Sequence, residues 1–323
     1  MSLLPFPLYP AFRSGKLTPW GGVALHEIYG KDTPDAHTGE SLEMSVITGL
    51  DSTDSRGEPL RSLIAREGAR LTGTRIGGPF PLLLKLIDAR EQLSVQVHPD
   101  NAYAALHENK LGKTEAWVIL HAEPGAQLVY GIREGVTRDM LESACREGKA
   151  IEGLLRFVPV HEGDVFYIPA GTVHAIGAGI LLYEIQQSSD VTYRFYDWDR
   201  TDAQGNRRTL HIRQALDVTR LDLQMDAAPS RTLYDSTCHR EQLLDTDYFA
   251  LQRLRNCADT PFTAIPAHFS VLTLLTDGMI RLEDLTEIHL SAGQTVFIPA
   301  DCVSFTLTCG ECMIASPANK KDA

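Results

Sequence analysis

Four polar residues interrupt otherwise apolar stretches of the chain: Gln96, His98, Glu115 and His174. Gln96 and His98 alternate with Val95 and Val97, and the strand period of two puts both on one face. A polar face on an apolar element needs hydrogen-bond partners or a metal ion. Glu115 heads a second apolar run, just after Gly112, Lys113 and Thr114, and His174 closes the tight turn PAGTVH. Two imidazoles, a carboxylate and an amide make a reasonable donor set for a divalent metal. Imidazole suits zinc, iron, nickel or cobalt, and the oxygen donors are harder. The set contains no cysteine, which favours an open catalytic site over a closed structural zinc site.

Three further side chains lie close to this set in the sequence pattern. Lys113 precedes Glu115 by two positions, so an extended backbone points both the same way. An ammonium beside a metal cation gives up its proton more readily, which would make Lys113 a proton shuttle; the alternative is a solvated loop lysine. Glu184 sits in ILLYEIQQ, where a carboxylate is costly without a partner. It is read as a base, as a holder of a neighbouring ligand, or as the partner of an arginine. Lys85 sits in LLLKLIDA, either for a purpose or with its charge snorkelling outward. Trp20 is placed at a pocket rim or in the core.

The elements that must position these residues read mostly as strands. Runs at 82–89, 93–99, 116–122, 126–132, 164–170, 180–187 and 192–198 are short, rich in β-branched and aromatic residues, and bounded by Gly, Pro or Asp. The last third repeats the style at 269–277, 279–285, 286–292, 294–300 and 303–309. Helical pattern is sparser: 59–71 with Leu60, Leu63, Ile64 and Leu71 near one face, a segment after Asp100, 136–155 with Thr137 as cap, and 210–218. The segment GDVFYIPAGTVH (163–174) recurs as GQTVFIPADCVS (293–304), at an offset of 130 residues. Two related β domains are expected, with Asp301 for Gly171 and Ser304 for His174, so the second copy keeps the fold without the ligand. The reading is a mainly β chain of two jelly-roll or β-sandwich domains with a few inserted helices. The first domain spans 1–220 and carries the metal site; the second spans 221–323 and lacks the ligands. A linker is placed at 221–236 and an exposed loop or hairpin at 200–209.

The chain has 323 residues, with 30 Lys+Arg against 42 Asp+Glu, for a net charge of −12. Such a balance argues against a nucleic-acid binder but leaves room for a locally basic pocket with an anionic substrate. No run approaches the length of a membrane span. The N-terminal stretch, interrupted by Pro5, Pro7 and Pro10, does not read as a signal peptide. The six cysteines, Cys145, Cys238, Cys257, Cys302, Cys309 and Cys312, form no disulfide framework, so a reducing cytoplasm is expected. Cys309 and Cys312 form a CxxC that reads as strand, turn, strand rather than as a redox or metal motif. No nucleotide-type phosphate loop is present.

The spacing G-x5-P-x-G-x2-H, filled by Gly163, Pro169, Gly171 and His174, resembles the second motif of the cupin superfamily, with Gln96 where the first motif usually has a histidine. The longer stretches LSVQVHPDNAYA (93–104), GKTEAWVIL (112–120) and YIPAGTVHAIGAGILLYEIQQSSDVTYRFYDWDR (167–200), with PWGG (19–22), resemble the type I mannose-6-phosphate isomerases in their short bacterial form, from about residue 4 to residue 316. The resemblance implies two cupin-like domains and one zinc ion per chain held by Gln96, His98, Glu115 and His174, with other divalent metals possible. It implies interconversion of mannose 6-phosphate and fructose 6-phosphate through a cis-enediol. It assigns Arg194 as the active-site arginine, matches Lys113 to the lysine of a K-x-E motif, and places Glu184 in the pocket. Leu42 departs from the pattern, since an aromatic is common there. Phosphate-binding candidates are Lys85, Arg200, Arg207 and Arg208. The expected partner is a small sugar phosphate, with neither nucleic acid nor membrane, and the chain is expected to be a monomer or weak homodimer. Competing readings are a glucose-6-phosphate-type isomerase, an iron-dependent cupin oxygenase, and a non-enzymatic sugar-binding cupin.

Overall fold

In the computed structural model, residues 2–202, 204–223, 231–233 and 237–318 are described. The fold is mainly β, with antiparallel sheets. The most apolar runs form the middle of a six-stranded sheet, ordered Val165–Ile168, Glu115–Ala122, Ile180–Gln187, Leu82–Ala89, Glu40–Met44, Ala11–Arg13. A five-stranded sheet faces it, ordered Leu155–Pro159, Gln127–Ile132, His174–Ala175, Val95–Val97, Tyr193–Tyr196.

The period-two alternation sorts side chains into layers. Ile87, Ala89, Trp117, Ile119, Leu128 and Tyr130 fill the space between these two sheets. Leu84, Leu86, Val118, Tyr183 and Ile185 point the other way and pack on Phe249, Leu251, Phe269, Val271 and Phe297 of the C-terminal sheet. Behind the five-stranded sheet, Val95, Val97, Tyr193 and Phe195 pack against the helices Arg138–Arg146 and Ile212–Val218. Lys85, Glu115 and Glu184 therefore share the inward parity of Ile87, Trp117 and Leu182.

The last third of the chain, with Phe6–Leu8, forms a nine-stranded sheet. Its longest strands, Phe249–Phe262 and Phe305–Pro317, pair along their whole length. Phe6–Leu8 crosses over from the N-terminal region to pair with Thr295–Phe297. Both copies of the internal repeat adopt the same strand–turn–strand form: Val165–Ile168 leading to His174, and Thr295–Ile298 leading to Phe305. Gly163 (φ 91°) and Gly293 (φ 79°) open the two copies in the left-handed region, where glycine is the residue without a steric cost.

Three local expectations need correction. The segment around Cys309 and Cys312 is one continuous strand, Phe305–Pro317, with no turn. Its first part pairs with Gly278–Leu282 and its last part with Val271–Leu274, so pairing holds it extended on both sides of the CxxC. The helix at 59–71 breaks at Gly68 (φ 54°) into Leu60–Glu67 and Ala69–Thr72. The helix at 136–155 is α-helical over Arg138–Arg146, capped by Thr137 as expected, and tightens to a 3₁₀ helix at Gly148–Leu154. Most of the linker at 221–236 lies outside the described residues. The described residues of the 200–209 segment form a loop.

Candidate active site

The loop between the strand Val95–Val97 and the helix Asn101–Glu108 is pinned on both sides. The carbonyl of His98 accepts from Gly171 N (2.8 Å) and that of Pro99 accepts from Lys113 N (3.0 Å). Asp100 caps the helix by accepting from Tyr103 N. Gly112 lies so close to this loop that a Cβ would sit 2.5 Å from the carbonyl carbon of Asp100. Thr114 N is bonded to the Gln187 side chain at 2.9 Å. These contacts bring the head of the Glu115 strand against His98.

His98, Glu115 and His174 converge between the two sheets, with their ligand-type atoms all within 4.8 Å of one another and all three side chains buried. His98 Nε2 lies 3.4 Å from Glu115 Oε2, and His174 Nε2 lies 3.3 Å from Glu115 Oε1. His98 Nδ1 lies 3.0 Å from the carbonyl of Val191, and His174 Nδ1 lies 2.9 Å from that of Thr172. A carbonyl can only accept, so each Nδ1 carries the proton and each Nε2 turns its lone pair inward. Burial, then Lys113, pushes His98 down to about 3, and burial lowers His174. Burial would raise Glu115, but Lys113, His98 and His174 outweigh it and hold the carboxyl well below its usual range.

Both oxygens of Glu115 and Nε2 of His174 are buried without a hydrogen bond. An ionised carboxylate and an imidazole lone pair left this way are expensive, and a divalent cation would satisfy them. Lys113 Nζ stands beside two of the three groups, 2.9 Å from His98 Nε2 and 3.0 Å from Glu115 Oε2. Its ammonium partly serves as the cation of the cluster. Gln96 is half-buried on the neighbouring strand, opposite both His174 and Arg194 in register.

A cleft opens beside the cluster, lined among others by Trp20, Lys85, Gln96, Lys113, Glu184 and Arg194. Trp20 is both buried in the core and part of the wall, so the two sequence readings meet in one residue. Glu184 finds a lysine and an indole rather than an arginine: Lys85 Nζ at 3.0 Å and Trp117 Nε1 donating at 2.9 Å. Lys85 is buried, with no outward snorkelling, and Glu40 lies on its other side at 3.6 Å. Burial opposes its charge, but Glu184 and Glu40 raise its affinity for the proton. Arg194 is held by donating to Ser94 Oγ (3.1 Å) and to the carbonyl of Thr209 (2.8 Å).

Of the phosphate candidates, Lys85 and Arg208 line the cleft, and Arg208 shares Asp197 with Arg200. Arg207 pairs with Asp199 at 3.0 Å and is largely exposed. Leu42 is fully buried beside Lys85 in register. Glu40, Arg13, Ser94 and Trp117 escaped the sequence reading. The signal for Glu40 was there, since it is an acid on an otherwise buried strand.

Comparison with known proteins adds the following. The family description "Phosphomannose isomerase type I, catalytic domain" matches residues 13–113. A mannose-6-phosphate isomerase of Streptococcus mutans is 37% identical over 305 residues, covering 93% of this chain and 95% of that one. A probable mannose-6-phosphate isomerase of Bacillus subtilis is 35% identical, covering 97% and 99%. The crystal structure of a mannose 6-phosphate isomerase from Bacillus subtilis superposes with a TM-score of 0.90 at 30% identity, covering 97% of this chain and 99% of that one.

Proposed function

The chain belongs to the type I mannose-6-phosphate isomerase family and is an aldose–ketose isomerase of mannose 6-phosphate, and from that premise we propose how its cleft performs the reaction. The observation that carries the proposal is the buried His98–Glu115–His174 cluster, with its orphaned acceptors, at the edge of a cleft that also presents Lys113, Glu184 and Arg194.

Gln96, His98, Glu115 and His174 would hold the metal, with zinc the first candidate because two imidazoles and one carboxylate suit it. A bound divalent ion supplies Lewis-acid polarisation of sugar oxygens. A metal bound there would displace Lys113 Nζ from His98 Nε2, because that nitrogen has a single lone pair. Lys113, which lines the cleft, would be free to relay protons between substrate oxygens.

Isomerisation takes the proton from C2 of the aldose and returns one to C1, by way of a cis-enediol, while negative charge builds on an oxygen. Arg194 has a rigid positive fork and a fixed position, which suit that charge. Glu184 and Lys113 are the two candidates for the C–H base. Glu184 lies 3.0 Å from Lys85 Nζ and is oriented by accepting from Trp117 Nε1. Arg208, the candidate arginine that lines the cleft, is assigned to the substrate phosphate.

The test offers mannose 6-phosphate and glucose 6-phosphate side by side to the metal-loaded enzyme, and fructose 6-phosphate is followed by a coupled assay. Turnover of the mannose compound, with the glucose compound at least tenfold poorer, is expected. Equal turnover of both, or preference for the glucose compound, contradicts the assignment.

A further inference from the structure

Away from the cleft, the C-terminal sheet gathers four of the six cysteines, Cys238, Cys257, Cys309 and Cys312, into one core cluster. All four are buried and all are free thiols. Cys257 lies on Phe249–Phe262 and Cys309 on Phe305–Pro317, and the two are direct Cα partners in the antiparallel ladder. Directly opposed residues in such a ladder have Cα atoms about 4.5 or 5.5 Å apart. Both separations fall inside the range a disulfide spans, about 4.4 to 6.8 Å.

The CxxC itself does not meet that condition. Cys309 and Cys312 are three residues apart on one extended strand, a Cα separation of about 10 Å. That exceeds the limit of about 7 Å for bridging without backbone movement. The partner of Cys309 is therefore on the neighbouring strand and is invisible in the local motif.

The pair is near the surface. Asn256, Ala258 and Asp259, which flank Cys257, and Gly310, which follows Cys309, are all exposed. The ladder shifts register just after Cys257, and Asn256 and Asp259 sit in the left-handed region (φ 54° and 46°), so the strand bulges there. Interaction with Cys257 first, and then with Cys312, pushes the Cys309 thiol down to about 4 against the effect of burial. That direction makes Cys309 the nucleophile of the paired thiols in the step below.

We propose that Cys257 and Cys309 form a reversible cross-strand disulfide on exposure to a small hydroperoxide, making this sheet a redox-modification site separate from the isomerase cleft. The Cys309 thiolate attacks one oxygen of hydrogen peroxide. The O–O bond breaks, hydroxide leaves and takes up a proton, and Cys309 becomes a sulfenic acid. Cys257 sulfur then attacks Cys309 sulfur, the S–O bond breaks, and the hydroxyl leaves as water with the proton from Cys257. Two thiols lose two electrons in total and one peroxide becomes two waters. Thiol exchange with a small dithiol restores the starting state.

The test treats the metal-loaded full chain with hydrogen peroxide, alkylates it under denaturing conditions, and maps the peptides by mass. The expected product is a crosslinked peptide pair holding Cys257 and Cys309, lighter than the two thiol peptides by two hydrogen atoms and split by dithiothreitol. Cys309→Ser should abolish it, Cys145→Ser should leave it, and Cys312→Ser should form it more slowly. A Cys309–Cys312 crosslink in its place overturns the proposal. So does over-oxidation of Cys309 without a crosslink, or thiols at both positions that stay unmodified. The wild-type map decides alone if a serine variant does not fold.

Discussion

The buried carboxylate oxygens of Glu115 accept no hydrogen bond, their one ion-pair partner is Lys113, and two imidazole Nε2 atoms face them. That arrangement makes little sense without a cation, and Lys113 supplies one only at its edge. The proton-transfer roles follow from the same neighbourhood. Arg194→Ala removes the fork that meets the developing charge and should lower kcat by about 10²- to 10³-fold with a smaller effect on KM; steady-state kinetics on the metal-loaded variant checks it. Glu184→Gln and Lys113→Met separate the two base candidates, since the base variant should lose the greater share of kcat at saturating substrate. If neither loses turnover, both assignments fall. Lys85 sits between Glu184 and Glu40, so Lys85→Met leaves two buried carboxylates without their ammonium. It should cost about 3 kcal/mol in urea unfolding. Glu40 carries a pH signature as well. Burial opposes its charge, but Lys85 and Arg13 lower its pKa in the folded state. Its contribution is present above the unfolded carboxylate value of about 4.3 and disappears as pH falls through the lower folded value. Glu40→Gln should therefore flatten the acid limb of the stability–pH curve relative to wild type.

The strands are what make this chemistry possible, because a period of two turns Gln96, His174 and Arg194 into one row across three paired strands. The loop contacts then set the distance between the two sheets' contributions. Gly112→Ala would push a Cβ into the backbone of Asp100 and Asn101. We expect a stability loss of about 2 kcal/mol and metal binding weakened by about tenfold, read by unfolding and by metal titration. The same period explains what was legible beforehand. The central strands announce themselves by alternation and β-branched content; His98, Glu115 and His174 cluster beside a cleft that Lys113, Glu184 and Arg194 line, and it was the family resemblance, not the pattern, that placed Glu184 and Arg194 in it. What escaped was long-range pairing. Nothing local in Phe6–Leu8, a three-residue strand containing Pro7, announces that it joins the C-terminal sheet. Glu40 and Trp117 matter through partners far away in the chain. The CxxC looked like a turn because Gly310 sits inside it, yet ladder pairing on both sides keeps the strand extended.

At the scale of the molecule, the C-terminal sheet backs the catalytic sandwich through an apolar layer and one buried polar knot. Lys31 Nζ donates to Glu43 Oε1 (2.6 Å) and to the carbonyl of Gly293 (2.7 Å), and Thr295 Oγ1 donates to Glu43 Oε2 (3.0 Å). Glu43 and Lys31 belong to the N-terminal part, Gly293 and Thr295 to the second copy of the repeat. Lys31→Met should lower stability by about 3 kcal/mol, since it strips a buried carboxylate of its cation. Turnover at a temperature where the variant stays folded should be unchanged, because neither residue lines the cleft. Among the described residues no helix is long and apolar enough to cross a membrane. The central claim is that the buried His–Glu–His cluster, with Gln96, holds a divalent metal on which the isomerase reaction depends. It is tested most directly by measuring fructose 6-phosphate formation on native protein, on chelator-stripped protein shown to be folded, and after adding back Zn²⁺, Mn²⁺, Co²⁺ or Fe²⁺. The account predicts that activity disappears on stripping and returns with one ion bound per chain. Full turnover by the folded, metal-free protein would contradict it.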